Sequence, residues 1–135
     1  ALRMRYITLI LSLFFIASCS TSSKEDSNMI SRPFSSVDSA RTIVLAKNRT
    51  FEIVLPSNPS TGFDWVLQIG DSQVVTNKSH RFVPDSSGRV GVPGTTTWSL
   101  RTGNTGDTKL TFSYKRPWEK EVQPSRVEVF TINVR

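Results

Sequence analysis

The feature that most constrains the fold is a set of short segments in which apolar and polar residues alternate with a period of two. Phe51, Ile53 and Leu55 share one face of such a segment, and Pro56 ends it. A strand places successive side chains on opposite faces, so this period predicts half-buried strands. Similar alternation recurs over residues 63–69, 98–101, 109–115 and 127–134, and two further strands are expected over 43–45 and, more weakly, 73–83.

About seven short strands separated by turn residues predict an all-β fold, specifically an immunoglobulin-like β-sandwich over residues 41–135. Trp65 lies on the third strand and is expected to be a core tryptophan. The apolar phase slips by one residue between Val129 and Phe130, which predicts a β-bulge there.

The amino-terminal residues are typical of a secretory signal. Arg3 and Arg5 precede an apolar run over residues 6–16, which is too short to span a bilayer comfortably. The sequence Ile16-Ala17-Ser18-Cys19 then resembles a bacterial lipobox, in which small residues admit a signal peptidase and the cysteine carries the lipid. We predict that residues 1–19 are a lipoprotein signal peptide with Cys19 lipidated. The alternative is an ordinary cleavage site with an incidental cysteine.

Cys19 is the only cysteine, so no disulfide is available and the hydrophobic core must hold the fold alone. Ser20 follows it, and by resemblance to bacterial lipoproteins this favours an outer-membrane location in the cell envelope. Residues 20–40 are rich in Ser and Thr, which predicts a flexible tether between the lipid and the domain.

The composition argues against several classes of function. The formal net charge is +6, but the basic residues are scattered, so we interpret the charge as favouring solubility rather than nucleic-acid binding. His80 is the only histidine and lies in a polar segment typical of a solvated surface. No Cys/His cluster, paired carboxylates or phosphate-binding loop is present, so we expect no metal, no cofactor and no enzymatic activity.

Three segments interrupt the strands with residues that end strands, and each is expected to be an exposed loop. They consist, in chain order, of Asn58, Pro59, Ser60, Thr61, Gly62 and Phe63; of Gly91, Val92, Pro93 and Gly94; and of Arg116, Pro117 and Trp118. In the first loop Pro59 fixes φ and Gly62 permits a positive φ, which predicts a rigid loop tipped by two small hydroxyl residues. Taken alone, this loop is equally consistent with an efficient strand connection.

The three loops follow the second, fourth and sixth strands, and such connections share one end of an immunoglobulin-like sandwich. Trp118 lies just past a proline and beside Arg116, which is the composition of an exposed interface hot spot. The alternative is that Trp118 folds back over the edge of the core. Three preorganised or aromatic loops at one end favour a binding surface.

These motifs resemble the chagasin-type inhibitors of papain-like cysteine proteases. Members carry an Asn-Pro-Thr-Thr-Gly-Tyr/Phe loop, a glycine-rich loop before a Thr-x-Thr-Trp strand, and an Arg-Pro-Trp loop, and this chain has counterparts in the same order over most of residues 41–135. Ser60 replaces the usual threonine. Val92 and Pro93 replace a more glycine-rich sequence in the second loop.

The resemblance implies reversible, non-covalent inhibition of a papain-like cysteine protease belonging to the bacterium or to a host. The first loop is expected to enter the active-site cleft and the other two to flank it. Trp118 is then an apolar anchor, and Arg116 either braces the loop or meets acidic groups of the protease. We expect a monomer. The alternative is an envelope-anchored β-sandwich that binds partners through its sheet edges.

Overall fold

The computed structural model describes residues 29–89 and 92–135. Its strands confirm the predicted all-β fold. They are β1 (Thr42–Leu45), β2 (Thr50–Ser57), β3 (Asp64–Ile69), β4 (Val75–Val83), β5 (Gly94–Thr102), β6 (Gly106–Lys115) and β7 (Arg126–Val134). The predicted signal peptide, the predicted lipidation site at Cys19 and the loop residue Gly91 lie outside the described residues.

The strands form two sheets, with the orders β1-β7-β6-β3 and β2-β5-β4. β1 pairs with β7 in parallel, and every other neighbouring pair is antiparallel. The two sheets pack face to face around one apolar core, as the alternation predicted. The fully buried side chains include Phe51, Ile53 and Leu55 of β2.

Trp65 is the core tryptophan that the sequence predicted, with only 6% of its surface exposed. Its indole Nε1 donates a hydrogen bond to the Pro56 carbonyl oxygen over 3.0 Å. Its ring packs on Tyr114 with a centroid distance of 4.8 Å. Trp65 therefore joins β3 both to β6 and to the end of β2.

The predicted β-bulge between Val129 and Phe130 is wrong. β7 pairs with β6 in one unbroken register along its whole length. Val127 and Val129 are exposed on the outer face of the sheet, while Phe130 and its alternate neighbours towards the carboxyl end are buried. The apparent slip in phase arises because two valines occupy solvent-facing positions, not because a residue is inserted.

The predicted tether is also too long, because its part from residue 29 to residue 40 packs against the sandwich. The Phe34 backbone N–H donates to the Glu52 oxygen, and the Val54 N–H donates to the Phe34 oxygen, both over 2.8 Å. The Phe34 ring is 6% exposed and lies edge-on to Phe51. This segment covers the free edge of β2, which would otherwise present unpaired backbone groups.

A buried carboxylate fixes the turn that connects this segment to β1. Asp38 is 3% exposed and accepts hydrogen bonds from the Ser35 backbone N–H and from the guanidinium groups of Arg32 and Arg41, at 3.0, 2.8 and 3.0 Å respectively. The Ser35 N–H contributes most, and together with the two arginines it holds the pKa of Asp38 below its usual value despite burial. Charged Asp38 therefore stabilises the packed segment.

We expect Asp38→Asn to loosen residues 29–41, because an amide cannot form the two ion pairs. Hydrogen exchange at the Phe34 amide measures the change, and Asp85→Asn, in an exposed loop, is the control. A carboxyl group with a lowered folded-state pKa stabilises the fold above its unfolded-state pKa and loses that effect as pH falls through the lowered value. The protection factor of the Phe34 amide, which is the ratio of its intrinsic to its observed exchange rate, should therefore fall below about pH 4 in the wild type but not in Asp38→Asn. Equal pH dependence in both proteins would contradict this account.

Candidate functional site

The strand registers bring the three predicted loops to one end of the sandwich. Ser57, which ends β2, pairs with Gly94, which begins β5, and Asp64, which begins β3, pairs with Lys115, which ends β6. The first pair joins the bases of the first and second loops. The second pair joins the bases of the first and third loops, so the first loop lies between the other two.

The first loop is held rigid by its own hydrogen bonds. Residues 59–61 form one turn of 3₁₀ helix, and Gly62 follows with a φ of 80°. The Ser60 hydroxyl donates to the Asn58 side-chain oxygen over 2.6 Å, and the Thr61 hydroxyl donates to the Asn58 carbonyl over 2.7 Å. Both hydroxyl protons are thus used within the loop, and the hydroxyl oxygens remain to accept hydrogen bonds from a partner.

Tyr114 on β6 supports the base of the first loop, a role that the sequence analysis missed. Its hydroxyl oxygen accepts a hydrogen bond from the Asn58 backbone N–H over 3.0 Å. Its ring stacks on Phe63 with a centroid distance of 5.4 Å and also packs on Trp65 of β3. The alternation of residues 109–115 indicates only that Tyr114 is on a strand, because the loop residues that it contacts are more than fifty residues away in sequence.

Arg116 braces the first loop, which is one of the two roles expected for it. Its Nε donates to the Thr61 carbonyl oxygen over 3.3 Å, and its guanidinium lies 4.7 Å from the centre of the Phe63 ring. A further nitrogen pairs with Glu119 over 3.3 Å. The first and third loops therefore form one connected unit.

Trp118 is exposed over 66% of its surface, as predicted, and does not fold back over the core. Its six-membered ring packs over Gly62, where a Cβ atom would lie 2.5 Å from Trp118 Cη2. Gly62 is thus required for two reasons, its positive φ and the close approach of this ring. The Trp118 ring stands beside the tip of the first loop and presents its remaining surface to solvent.

The second loop is only partly as predicted. Val92 lines a cleft of about 230 Å³ together with Asn58, Pro59 and Ser60, so this loop does flank the first. The expectation that Gly94 is part of an exposed loop is wrong, because Gly94 begins β5 and is buried. A Cβ at Gly94 would lie 2.3 Å from the Val83 carbonyl oxygen, so this glycine serves strand packing rather than direct contact.

The described residues contain no group of three or more His, Cys, Asp or Glu side chains that could hold a metal ion. His80 is exposed, and its ring stacks near Trp98 at 6.5 Å. Within residues 29–89 and 92–135, no helix is long and apolar enough to cross a membrane.

Comparison with known proteins assigns this architecture to a family. A family model described as chagasin family peptidase inhibitor I42 matches residues 44–134. The chain belongs to the chagasin family of peptidase inhibitors, which is a family of inhibitors and not of enzymes. This membership favours the inhibitory function over the alternative of an adhesion module.

Individual relatives cover most of the domain. Amoebiasin-2 of Entamoeba histolytica is 30% identical over 95 residues, covering 70% of this chain and 77% of the relative. Chagasin of Trypanosoma cruzi is 31% identical over 99 residues, covering 70% of this chain and 87% of the relative. The crystal structure of the cysteine protease inhibitor EhICP2 from E. histolytica matches with a TM-score of 0.67 at 22% identity, covering 77% of this chain and 94% of EhICP2. That last likeness bears on the fold.

Proposed function

We propose that this chain is a reversible, non-covalent inhibitor of papain-like cysteine proteases and that the three loops at one end of the sandwich close the protease cleft. The observation that carries the proposal is the connected unit formed by the first and third loops. Arg116 donates a hydrogen bond to the first loop, Trp118 packs over Gly62, and residues 59–61 at the tip are exposed. Family membership and the loop motifs support the same target class.

The geometry suits tight but reversible binding. A loop whose conformation is already fixed loses little entropy when it enters a cleft. Exposed Trp118 offers a large apolar surface beside that loop, and such aromatic anchors supply much of the affinity in protein interfaces. An interface of standard size, about 1,600 Å² in total, is within reach of three adjoining loops.

The proposal is tested by titrating the purified full chain, in mild detergent, against papain whose active sites have been counted. We expect inhibition that is relieved by dilution and that competes with a small substrate. Trypsin, a serine protease, is the control and should remain active. Undiminished papain activity at micromolar inhibitor would overturn the proposal.

We also propose that Cys19 is lipidated and anchors the domain in the bacterial cell envelope, with the inhibitory loops pointing away from the anchor. The lipobox-like residues before Cys19 support the lipid. Met29 forms a bridge with Thr50, at the start of β2, whereas the first loop follows the end of β2 at Ser57. Met29, where the described residues begin, therefore lies near the end of the sandwich opposite the loops.

Cys19→Ala is the corresponding prediction. We expect it to move the protein from the membrane fraction to the soluble fraction of expressing bacteria while leaving papain inhibition unchanged, because the loops do not depend on the anchor. Fractionation followed by a papain assay of each fraction measures both effects. Ser23→Ala lies outside the lipobox, keeps the cysteine and is the control. Failure of the wild-type protein to incorporate labelled palmitate would contradict lipid anchoring.

A further inference from the structure

A groove of about 440 Å³ lies beside the first loop, between the edge strands of the two sheets. On one side it is lined by Pro59 and Trp118 of the loops already described. On the other it is lined by three residues near the end of β4, namely His80, Arg81 and Phe82. The groove therefore continues the three-loop surface onto a strand that no sequence motif marked.

The groove exists because the sandwich is open between β3 and β4. Phe82 pairs with Thr96 and His80 pairs with Trp98, so each shares a face of the sheet with a buried residue of β5. That face points towards the core, yet both β4 side chains are exposed because the opposite sheet ends at β3. A shift of register between Asn77 and Ser79 places them on this face.

Phe82 has an unusual position within this surface. Its side chain is 40% exposed, and within the described residues it and Trp118 are the exposed large aromatic side chains. Its ring packs over buried Gly94, where a Cβ would come within 2.7 Å of it. Phe82 also lines the smaller cleft beside Val92, so it stands between the first and second loops. An aromatic ring that is partly supported and partly exposed is typical of an interface anchor.

We propose that this groove is a fourth contact element of the inhibitor and receives an apolar side chain from a loop that borders the active-site cleft of the bound cysteine protease. The inference rests on the proposed function, because the groove shares Pro59 and Trp118 with the loops assigned to the protease. A protease that covers these two residues must also lie over Phe82. Burial of two neighbouring aromatic rings by one partner concentrates binding free energy at the centre of the contact.

The chemistry of the lining selects an apolar occupant. Phe82, Trp118 and Pro59 provide apolar walls. The charged residues at the groove are Asp64 and Arg81, and Arg81 belongs to the face of β4 opposite Phe82. An apolar side chain fills the space between the apolar walls without leaving a buried charge unpaired.

The test compares three variants of the full chain against papain. We expect Phe82→Ala to raise the inhibition constant about tenfold, as loss of a partly buried aromatic anchor commonly does. Phe82→Tyr keeps the ring and should stay within threefold of the wild type. Val83→Ala is the matched control, because Val83 is also 40% exposed but projects from the opposite face of β4. It should change the inhibition constant by less than twofold.

A second readout separates direct contact from mere support of the first loop. In the complex with papain, hydrogen exchange over residues 80–83 should slow, and the unfolding temperature of free Phe82→Ala should stay close to that of the wild type. An unchanged inhibition constant for Phe82→Ala, or unprotected residues 80–83 in an inhibited complex, would overturn the inference while leaving the proposed function standing. Failure of the wild type to inhibit papain would remove both.

Discussion

Replacing Gly62 with alanine is expected to raise the inhibition constant against papain by about 30-fold, equivalent to roughly 2 kcal/mol of binding free energy. Gly62 has a φ of 80°, where an L side chain is strained, and the added Cβ would lie 2.5 Å from Trp118 Cη2. The ring has to move, and the tip of the first loop moves with it. Inhibition is measured with purified protein, and circular dichroism verifies that the sandwich is intact.

A double-mutant cycle with Trp118→Ala identifies the cause of this loss. If the clash with the indole dominates, Gly62→Ala should cost much less in the Trp118→Ala background than in the wild type. Gly88→Ala is the matched control, because Gly88 also has a positive φ but a Cβ there meets no atom within 4 Å. Fully additive effects at positions 62 and 118 would contradict the proposed packing between the loops.

Trp65→Ala should have the largest effect on stability, about 3–5 kcal/mol of the free energy of unfolding. The substitution leaves a cavity beside Tyr114 and removes the hydrogen bond to the Pro56 carbonyl. No disulfide offsets the loss, because the chain has a single cysteine. Urea unfolding measures the effect.

The control for Trp65→Ala is Val66→Ala, on the same strand with 39% of the valine exposed, and it should cost less than about 1 kcal/mol. Because Tyr114 also supports the first loop, Trp65→Ala should weaken papain inhibition even at temperatures where the domain remains folded. If Trp65→Ala lowered the free energy of unfolding no more than Val66→Ala does, Trp65 would not be a core residue.

The strands could be predicted because a strand that is buried on one face has an apolar residue at every second position. Phe51, Ile53 and Leu55 display that period plainly, and all three are buried. The same argument wrongly predicted a bulge after Val129, because the sequence alone does not distinguish an exposed valine from a buried one. Periodicity reports which residues are apolar, and only the packed sheets decide which face they occupy.

The placement of the loops followed from strand order, but the contacts that hold them did not. Tyr114 and Arg116 fix the first loop from more than fifty residues away in sequence. Phe82 belongs to the proposed binding surface only because the sheet opposite β4 ends at β3 and leaves this side chain exposed. The burial of Phe34 could not be predicted either, because this residue lies in a serine-rich segment. Phe34 is buried against the free edge of β2, which no local sequence pattern shows.

A crystal structure of the chain bound to papain tests the central claim most directly. We predict the first loop inside the catalytic cleft without a covalent bond to the catalytic cysteine, with Trp118 and Phe82 both covered by the protease. Papain bound to the outer face of a sheet or to a strand edge, with its cleft open to substrate, would contradict the account.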